Sequence, residues 1–175
     1  MILRKVSFED WEILLDWRND IDTRKNSHHM ELVKEENHKE WLHSKLANEN
    51  CKLFIAIENE IPVGTVRAEF DKQNSEYELF WTVSPDFRGK GIGKIMVKLL
   101  ADKLQAKVRA EIKIGNIASI KIAEYTGMKL LKEENGILHY SKLIFEKQNS
   151  HCLKNKNLFR KCISLRILLI WIQKK

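Results

Sequence analysis

The residue types best suited to chemistry crowd into one stretch, WTVSPDFRGKGIGK at positions 81–94, where Gly89, Gly91 and Gly93 alternate with Arg88, Lys90, Ile92 and Lys94. Glycines let backbone N–H groups turn inward with no Cβ in the way, and the unpaired amides and positive dipole of a following helix favour an anion. An apolar strand closing at Val83 leads in, Ser84, Pro85 and Asp86 break it, and Ile95, Met96, Leu99 and Leu100 continue in a helical pattern. The loop is expected to hold phosphate, with Arg88 and Lys90 adding charge; on the plainer reading it is a tight strand-to-helix turn. Its spacing is neither G-x-x-x-x-G-K-[ST] nor a dinucleotide G-x-G-x-x-G opening a βαβ unit.

Two carboxylates sit on strands near this loop. Residues 77–83 alternate so that Glu78, Phe80 and Thr82 face one way while Tyr77, Leu79, Trp81 and Val83 face the other. Residues 107–114 read as a partner strand with Arg109, Glu111 and Lys113 on one face, followed by the polar Asn116 and a helix carrying Ser119 and Tyr125. Asn135-Gly136 predicts a hairpin turn before a last strand at residues 137–145, which carries Tyr140.

Arg88, Gly91 and Gly93 in R-x-x-G-x-G spacing, with Asn116 and Ser119 in N-x-x-[AS] spacing on a helix ending at Gly127-Met128, resemble the GCN5-related N-acetyltransferases over roughly residues 2–145. The resemblance implies an α/β (α+β) fold, a mixed, mostly antiparallel central sheet splayed at the acetyl-CoA site and flanked by helices. It implies acetyl-CoA as cosubstrate, with its pyrophosphate on residues 88–94, its pantetheine arm along Trp81, Thr82 and Val83, and the Asn116 amide on that arm. The Val83 N–H is expected to face the thioester oxygen and stabilise its developing charge.

Direct attack by an amine then needs a proton acceptor, for which Glu111 and Glu78 are the candidates, and the departing thiolate benefits from a donor. Many members carry a tyrosine seven residues after the asparagine, a position held here by Ala123. Tyr125, two residues on, is turned by about 200° and is expected to face away unless the helix ends early. Ser119, Tyr140 and water are the other candidate donors; the alternative for Ser119 is a cap. No cysteine lies near either motif, so no covalent enzyme intermediate is expected.

The elements that must position these groups begin with a strand at residues 2–6 and a helix opened by Ser7 and Asp10, with Trp11, Leu14, Leu15 and Trp17 on one side. A polar break through residues 18–29 and a second helix from Glu35 follow, with Leu42 and Leu46 one turn apart; a hairpin then spans residues 51–70, in which Gly64 marks a close approach or bulge. W-R-N at 17–19, T-R-K-N-S at 23–27 and E-E-N-H-K-E-W at 35–41 resemble acetyltransferases that modify a nucleotide-linked 4-amino sugar, and share features with ribosomal-protein N-terminal acetyltransferases. That resemblance makes Arg18, Asn19, Arg24 and His38 candidate acceptor-reading residues, with His28 and His29 beside them. The alternative has Arg18 and Asn19 bracing a helix end and His38 solvated.

Composition suits one domain with a full core, at 175 residues, 43% hydrophobic and 31% charged. The net charge of +7 does not point to nucleic acid: residues 147–175 hold eight Lys/Arg and no Asp/Glu, leaving 23 basic against 24 acidic side chains in residues 1–146. That basic, amphipathic C-terminal extension is expected to pack on its own domain or on a second copy as a homodimer contact; the alternatives are a membrane surface and a disordered appendage. Cys51, Cys152 and Cys162 have no metal-ligand spacing, so no metal is expected, and with no charged and apolar leader the protein is expected to be cytoplasmic. The expected partner is a small-molecule amine, best a nucleotide-linked sugar. A protein N-terminus, or a catalytically idle acyl-CoA-binding module, is the alternative.

Overall fold

The computed structural model describes residues 1–143. The basic extension at residues 147–175, with the dimer and membrane roles expected of it, lies outside the described residues. Seven strands form one sheet in the order β1-β2-β3-β4-β5-β7-β6, from β1 (Ile2–Lys5), β2 (Cys51–Glu58), β3 (Ile61–Asp71), β4 (Glu76–Val83), β5 (Val108–Lys113), β6 (Lys129–Glu134) and β7 (Ile137–Lys142). All neighbours run antiparallel except β4 and β5. Helices α1 (Trp11–Asn19), α2 (Ile21–Asn26) and α3 (Glu35–Ala47) precede β2, while α4 (Ile92–Leu104) and α5 (Ile117–Tyr125) flank β5.

Alternation along each strand makes two cores. Val66, Ala68 and Leu79 pack with Met96, Val97 and Leu100 of α4 and Ile122 and Ala123 of α5. On the opposite face Leu53 and Ile55 pack with Leu14 and Trp17 of α1 and Leu42 of α3. Leu42 is fully buried, whereas Leu46, expected beside it, is 39% exposed. Ser7 donates its N–H to Asp10 Oδ2 at 2.8 Å and opens a short 3-10 turn ahead of α1.

Several elements differ from the sequence reading. The polar break contains α2, a six-residue helix with no apolar stripe, held by Asp20 accepting the N–H groups of Asp22 and Thr23; a side-chain cap can start a helix that periodicity does not reveal. β3 begins at Ile61, because Asn59 and Glu60, both at positive φ, make a tight two-residue turn. Pro62 is tolerated inside it opposite a register shift between Ala56 and Ile57. The Asn135-Gly136 turn has both residues at positive φ, at 50° and 77°. The last strand is seen over Ile137–Lys142, and residues 144 and 145 of its expected span lie outside the described residues. Among the described residues no helix is long and apolar enough to cross a membrane.

Candidate active site

β4 and β5 pair through only Tyr77–Val108 and Glu78–Arg109, yet β4 stays paired to β3 as far as Val83 and β5 to β7 as far as Lys113. The sheet therefore opens in a wedge between Leu79–Val83 and Ala110–Lys113. Parity decides which amides face the opening. Tyr77 N–H donates to Lys107 O at 2.9 Å at the closed end, and Ser84 N–H donates to Val63 O at 3.0 Å on the β3 side. In an antiparallel ladder the direction alternates, so the N–H groups of Leu79, Trp81 and Val83 point away from β3; that of Leu79 lies at the last rung with β5, and those of Trp81 and Val83 face into the wedge.

The glycine loop closes the wide end. Gly89 and Gly91 adopt φ of 76° and 81°, and Gly91 is the N-cap of α4. A Cβ on Gly89 or Gly91 meets nothing within 4 Å, so their conformation rather than crowding calls for glycine. Gly93 is required by contact: a Cβ there would stand 2.4 Å from Ile122 Cδ1. The loop amides and the first turn of α4 suit an anion, and the row of free strand amides suits an extended amide-bearing chain. Both features fit acetyl-CoA.

Among the residues named from sequence for that group, Trp81, Thr82, Val83, Arg88, Gly89, Gly91, Ile92, Gly93, Lys94, Asn116 and Ser119 all line one cavity of about 1230 Å³. The side chains of Arg88 and Lys90 are not turned to the loop. Arg88 donates to Asp20, to Asp22 Oδ2 at 3.3 Å and to Thr23 Oγ1 at 3.0 Å, and Lys90 Nζ donates to Asp86 O at 2.9 Å. Their expected part as added charge for phosphate is thus replaced by bracing, which leaves the backbone amides to meet an anion. The Arg88 contacts form one end of a strap. At the other end Lys113 Nζ donates to Lys25 O at 3.2 Å, and His28 Nε2 stands 3.8 Å from Glu111 Oε2. α2 and the residues after it thereby cross the wedge from the β4 side to the β5 side.

Burial alone would raise the Asp20 carboxyl, but the bonds from Arg88 and the Thr23 amide and the Arg88 charge outweigh it and hold it below the usual carboxylate range. A depressed folded-state value gives stability that is complete above the ordinary carboxylate value and is lost as pH falls through the depressed one. Asp20→Ala is therefore expected to cost about 1 kcal/mol as a cap loss at neutral pH. Urea unfolding should show that difference, and it should shrink in acid as the wild-type carboxylate becomes protonated.

The two carboxylates separate. Glu111 lines the cavity with Oε1 3.0 Å from Arg109 Nη1 and 3.6 Å from His139 Nδ1. Glu78 does not line it. Its Oε2 accepts from Arg109 Nη2 at 2.6 Å; burial lifts its carboxyl above the usual range despite Arg109, with the Glu111 charge adding to the rise.

Ser119 Oγ accepts from Trp81 Nε1 at 3.2 Å, a bond across the wedge that leaves the serine hydrogen free to donate. Asn116 Oδ1 accepts from Ser119 N–H at 3.1 Å, so its oxygen caps α5 while its amide NH₂ is left for another partner. Tyr125 is 53% exposed, lies against Lys94 and is absent from the cavity wall; α5 does not end early enough to turn it inward. Tyr140 is also absent from the wall: it is buried, and burial and the Glu124 carboxylate raise its hydroxyl.

The acceptor-side residues divide as well. Asn19 exchanges two hydrogen bonds with Val33, both 2.9 Å, and Arg24 donates to Asn19 O at 3.1 Å and Met30 O at 3.0 Å. Neither lines the cavity; both hold the segment before α3. Arg18, His28, His29 and His38 do line it. His38 is only 3% exposed, not solvated, and its ring is stacked on Trp41 with centroids 5.3 Å apart. Burial lowers its pKa and the Arg18 charge lowers it further, against the Trp11 backbone, so the ring is neutral at neutral pH.

Arg67 escaped the sequence reading. It faces the cavity from β3, its guanidinium 4.0 Å from the Phe80 ring centroid and 5.4 Å from that of Trp41. The signal was the period of two, which sends Val66 and Ala68 into one core and Thr65, Arg67 and Glu69 to the opposite face. Among the described residues no group of three or more His, Cys, Asp or Glu could hold a metal ion.

Residues 1–129 match the family model described as an acetyltransferase (GNAT) domain. A domain from Methanocaldococcus jannaschii DSM 2661 is 28% identical, with a TM-score of 0.70 over 81% of this chain and 96% of that one. A ribosomal-protein-alanine N-acetyltransferase from Brucella melitensis is 22% identical, with a TM-score of 0.68 over 82% of this chain and 99% of that one. An aminoglycoside acetyltransferase solved with coenzyme A is 19% identical, with a TM-score of 0.70 over 85% and 98%. No curated protein matches.

Proposed function

The chain belongs to the GNAT acetyltransferase family, and from that premise we propose that its acceptor is the primary amine of a nucleotide-linked amino sugar, attacked directly with Glu111 as base. It is an acetyl-CoA-dependent N-acetyltransferase. The observation that carries the reading is a single cavity that runs from the glycine loop past Val83 and Glu111 and on to the rings of Trp17, Trp41 and Phe80. A catalytically idle binding module would need no carboxylate on the wall it shares with its cosubstrate, and a small amine would need no flat apolar surface beyond that carboxylate. A nucleotide-linked sugar has a base for the rings and an amine for the carboxylate.

Acetyl-CoA, when bound, supplies an activated acetyl thioester. The chain supplies the rest. Amides of residues 89–93 hold the pyrophosphate, the Trp81 and Val83 N–H groups and Asn116 hold the pantetheine arm, and the Val83 amide donates to the oxygen on which negative charge develops. Glu111, steadied by Arg109 and His139, takes a proton from the acceptor ammonium. Ser119, whose hydroxyl hydrogen the Trp81 contact leaves free, passes a proton to the departing sulfur and is replenished by the second proton that the attacking nitrogen gives up.

The test is acetyl-CoA consumption, read as free thiol release, across UDP-linked 4-amino sugars, N-terminal peptides of ribosomal proteins, polyamines and aminoglycosides. Turnover confined to the sugar nucleotides is expected. A peptide-only response would make it a protein N-terminal acetyltransferase, and silence with measurable acetyl-CoA binding would make it a binding module.

A further inference from the structure

On the acceptor side the cavity wall carries two guanidinium groups, Arg18 and Arg67, whose charge the protein matches only in part, Arg18 by the Glu31 charge and Arg67 by the carboxylates of Glu69 and Glu78. Arg18, in the last turn of α1, donates Nη2 to His29 O at 2.8 Å, while its Nη1 is buried without a hydrogen-bond partner. The charge it feels most is the like charge of Arg24, ahead of the opposite charge of Glu31. Arg67 Nε lies 2.7 Å from Glu69 Oε1 but is not aligned for a hydrogen bond, and that same oxygen accepts from Lys45 Nζ at 2.6 Å. One carboxylate is therefore shared between two cations.

The two arginines belong to one wall. Arg18 is close enough to perturb His38, His38 stacks on Trp41, and Trp41 and Phe80 both face the Arg67 guanidinium. A desolvated cation without a full counter-charge is costly and attracts an anion. A guanidinium presents a planar fork that matches phosphate oxygens in pairs, and one already fixed between rings loses little freedom on binding.

The geometry points to Arg18 and Arg67 as an anion subsite that grips the diphosphate of the acceptor, with Trp41 and Phe80 holding the Arg67 guanidinium in place. This rests on the nucleotide-linked reading of the acceptor. It also gives the pocket a sign: polycationic amines meet two positive charges that the protein compensates only in part, whereas a dianionic linker completes the compensation.

The test uses the full chain saturated with coenzyme A, so that the glycine loop is filled, and UDP as the probe, titrated calorimetrically against wild type, Arg18→Gln, Arg67→Gln and the two Lys variants. Wild type should bind UDP more tightly than uridine. Each Gln variant should lose about tenfold in UDP affinity, with coenzyme A affinity unchanged and partial recovery in the Lys variants. Melting temperatures check folding, and Arg67→Lys stands in for Arg67→Gln if the latter does not fold. UDP binding that is indifferent to both arginines would overturn the subsite and leave the nucleotide-linked acceptor intact. No UDP binding, with a KM for an acidic peptide that rises in the same variants, would keep the anion subsite and overturn the nucleotide. No UDP binding and no such rise would overturn the subsite.

Discussion

Glu111→Gln lowers kcat by about a hundredfold, at the low end for loss of a general base, with the KM for acetyl-CoA unchanged. Gln keeps the size of the side chain and an oxygen for Arg109 Nη1, but it cannot take the acceptor proton, and the glycine loop and wedge are untouched. Glu78→Gln is the control. Glu78 shares Arg109 with Glu111 but does not line the cavity, so it acts through the posture of Arg109 and should cost less in kcat. Steady-state kcat and KM for both variants decide between them: kcat should fall far more in Glu111→Gln than in Glu78→Gln. A larger kcat loss from Glu78→Gln would exchange the two roles.

Gly64→Ala should damage stability and turnover together. Gly64 is opposite Val83 in the β3–β4 ladder, and a Cβ there would sit 2.6 Å from the Thr82 carbonyl oxygen and 3.0 Å from Met96 Sδ. The methionine end can swing aside; a backbone carbonyl inside a paired strand cannot move without the strand. Overpacking of this kind costs about 2–3 kcal/mol, measurable as a lower urea midpoint. Because the strand that must move carries the Val83 amide, kcat measured well below the melting temperature should fall as well. Full activity in a destabilised Gly64→Ala protein would show that the amide tolerates displacement.

What could be read from the residues alone follows physical cost. Gly91 and the Asn135-Gly136 turn stand where backbone conformation demands them, and Asn116 where a helix needs a cap, so residue type and position coincide. The opening between β4 and β5 has no such mark. Nothing in the composition of residues 79–83 says that the amides of Trp81 and Val83 lack strand partners, and only the resemblance to known acetyltransferases supplied the splay. α2 was hidden for the reverse reason: its stability is in the Asp20 cap and the Arg88 contacts, neither of which has a period.

The acceptor side shows the limit most clearly. Arg18, Asn19 and Arg24 stand as candidates on the resemblance to amino-sugar acetyltransferases; Arg18 lines the cavity, whereas the side chains of Asn19 and Arg24 bond to backbone groups at residues 19 and 30–33, and no side-chain pattern encodes that. His38, flanked by Glu35, Glu36, Lys39 and Glu40, looked solvated. It is one helical turn before Leu42 and shares the inward face with it. Arg67 was legible in principle, as a lone cation on an apolar strand.

The strap made by α2 and the residues after it joins two elements that ligands would otherwise meet separately: the glycine loop through Arg88, and β5 through Lys113 and, by way of His28, Glu111. A ligand at the loop that alters the hold of Arg88 on Asp20 also alters the free energy of the segment that carries His28 and His29, on the acceptor wall. Thermodynamic linkage then makes the effect mutual: whatever factor acetyl-CoA applies to acceptor affinity, the acceptor applies to acetyl-CoA. A six-residue helix with no core of its own thus makes the affinities for the two substrates one coupled quantity rather than two.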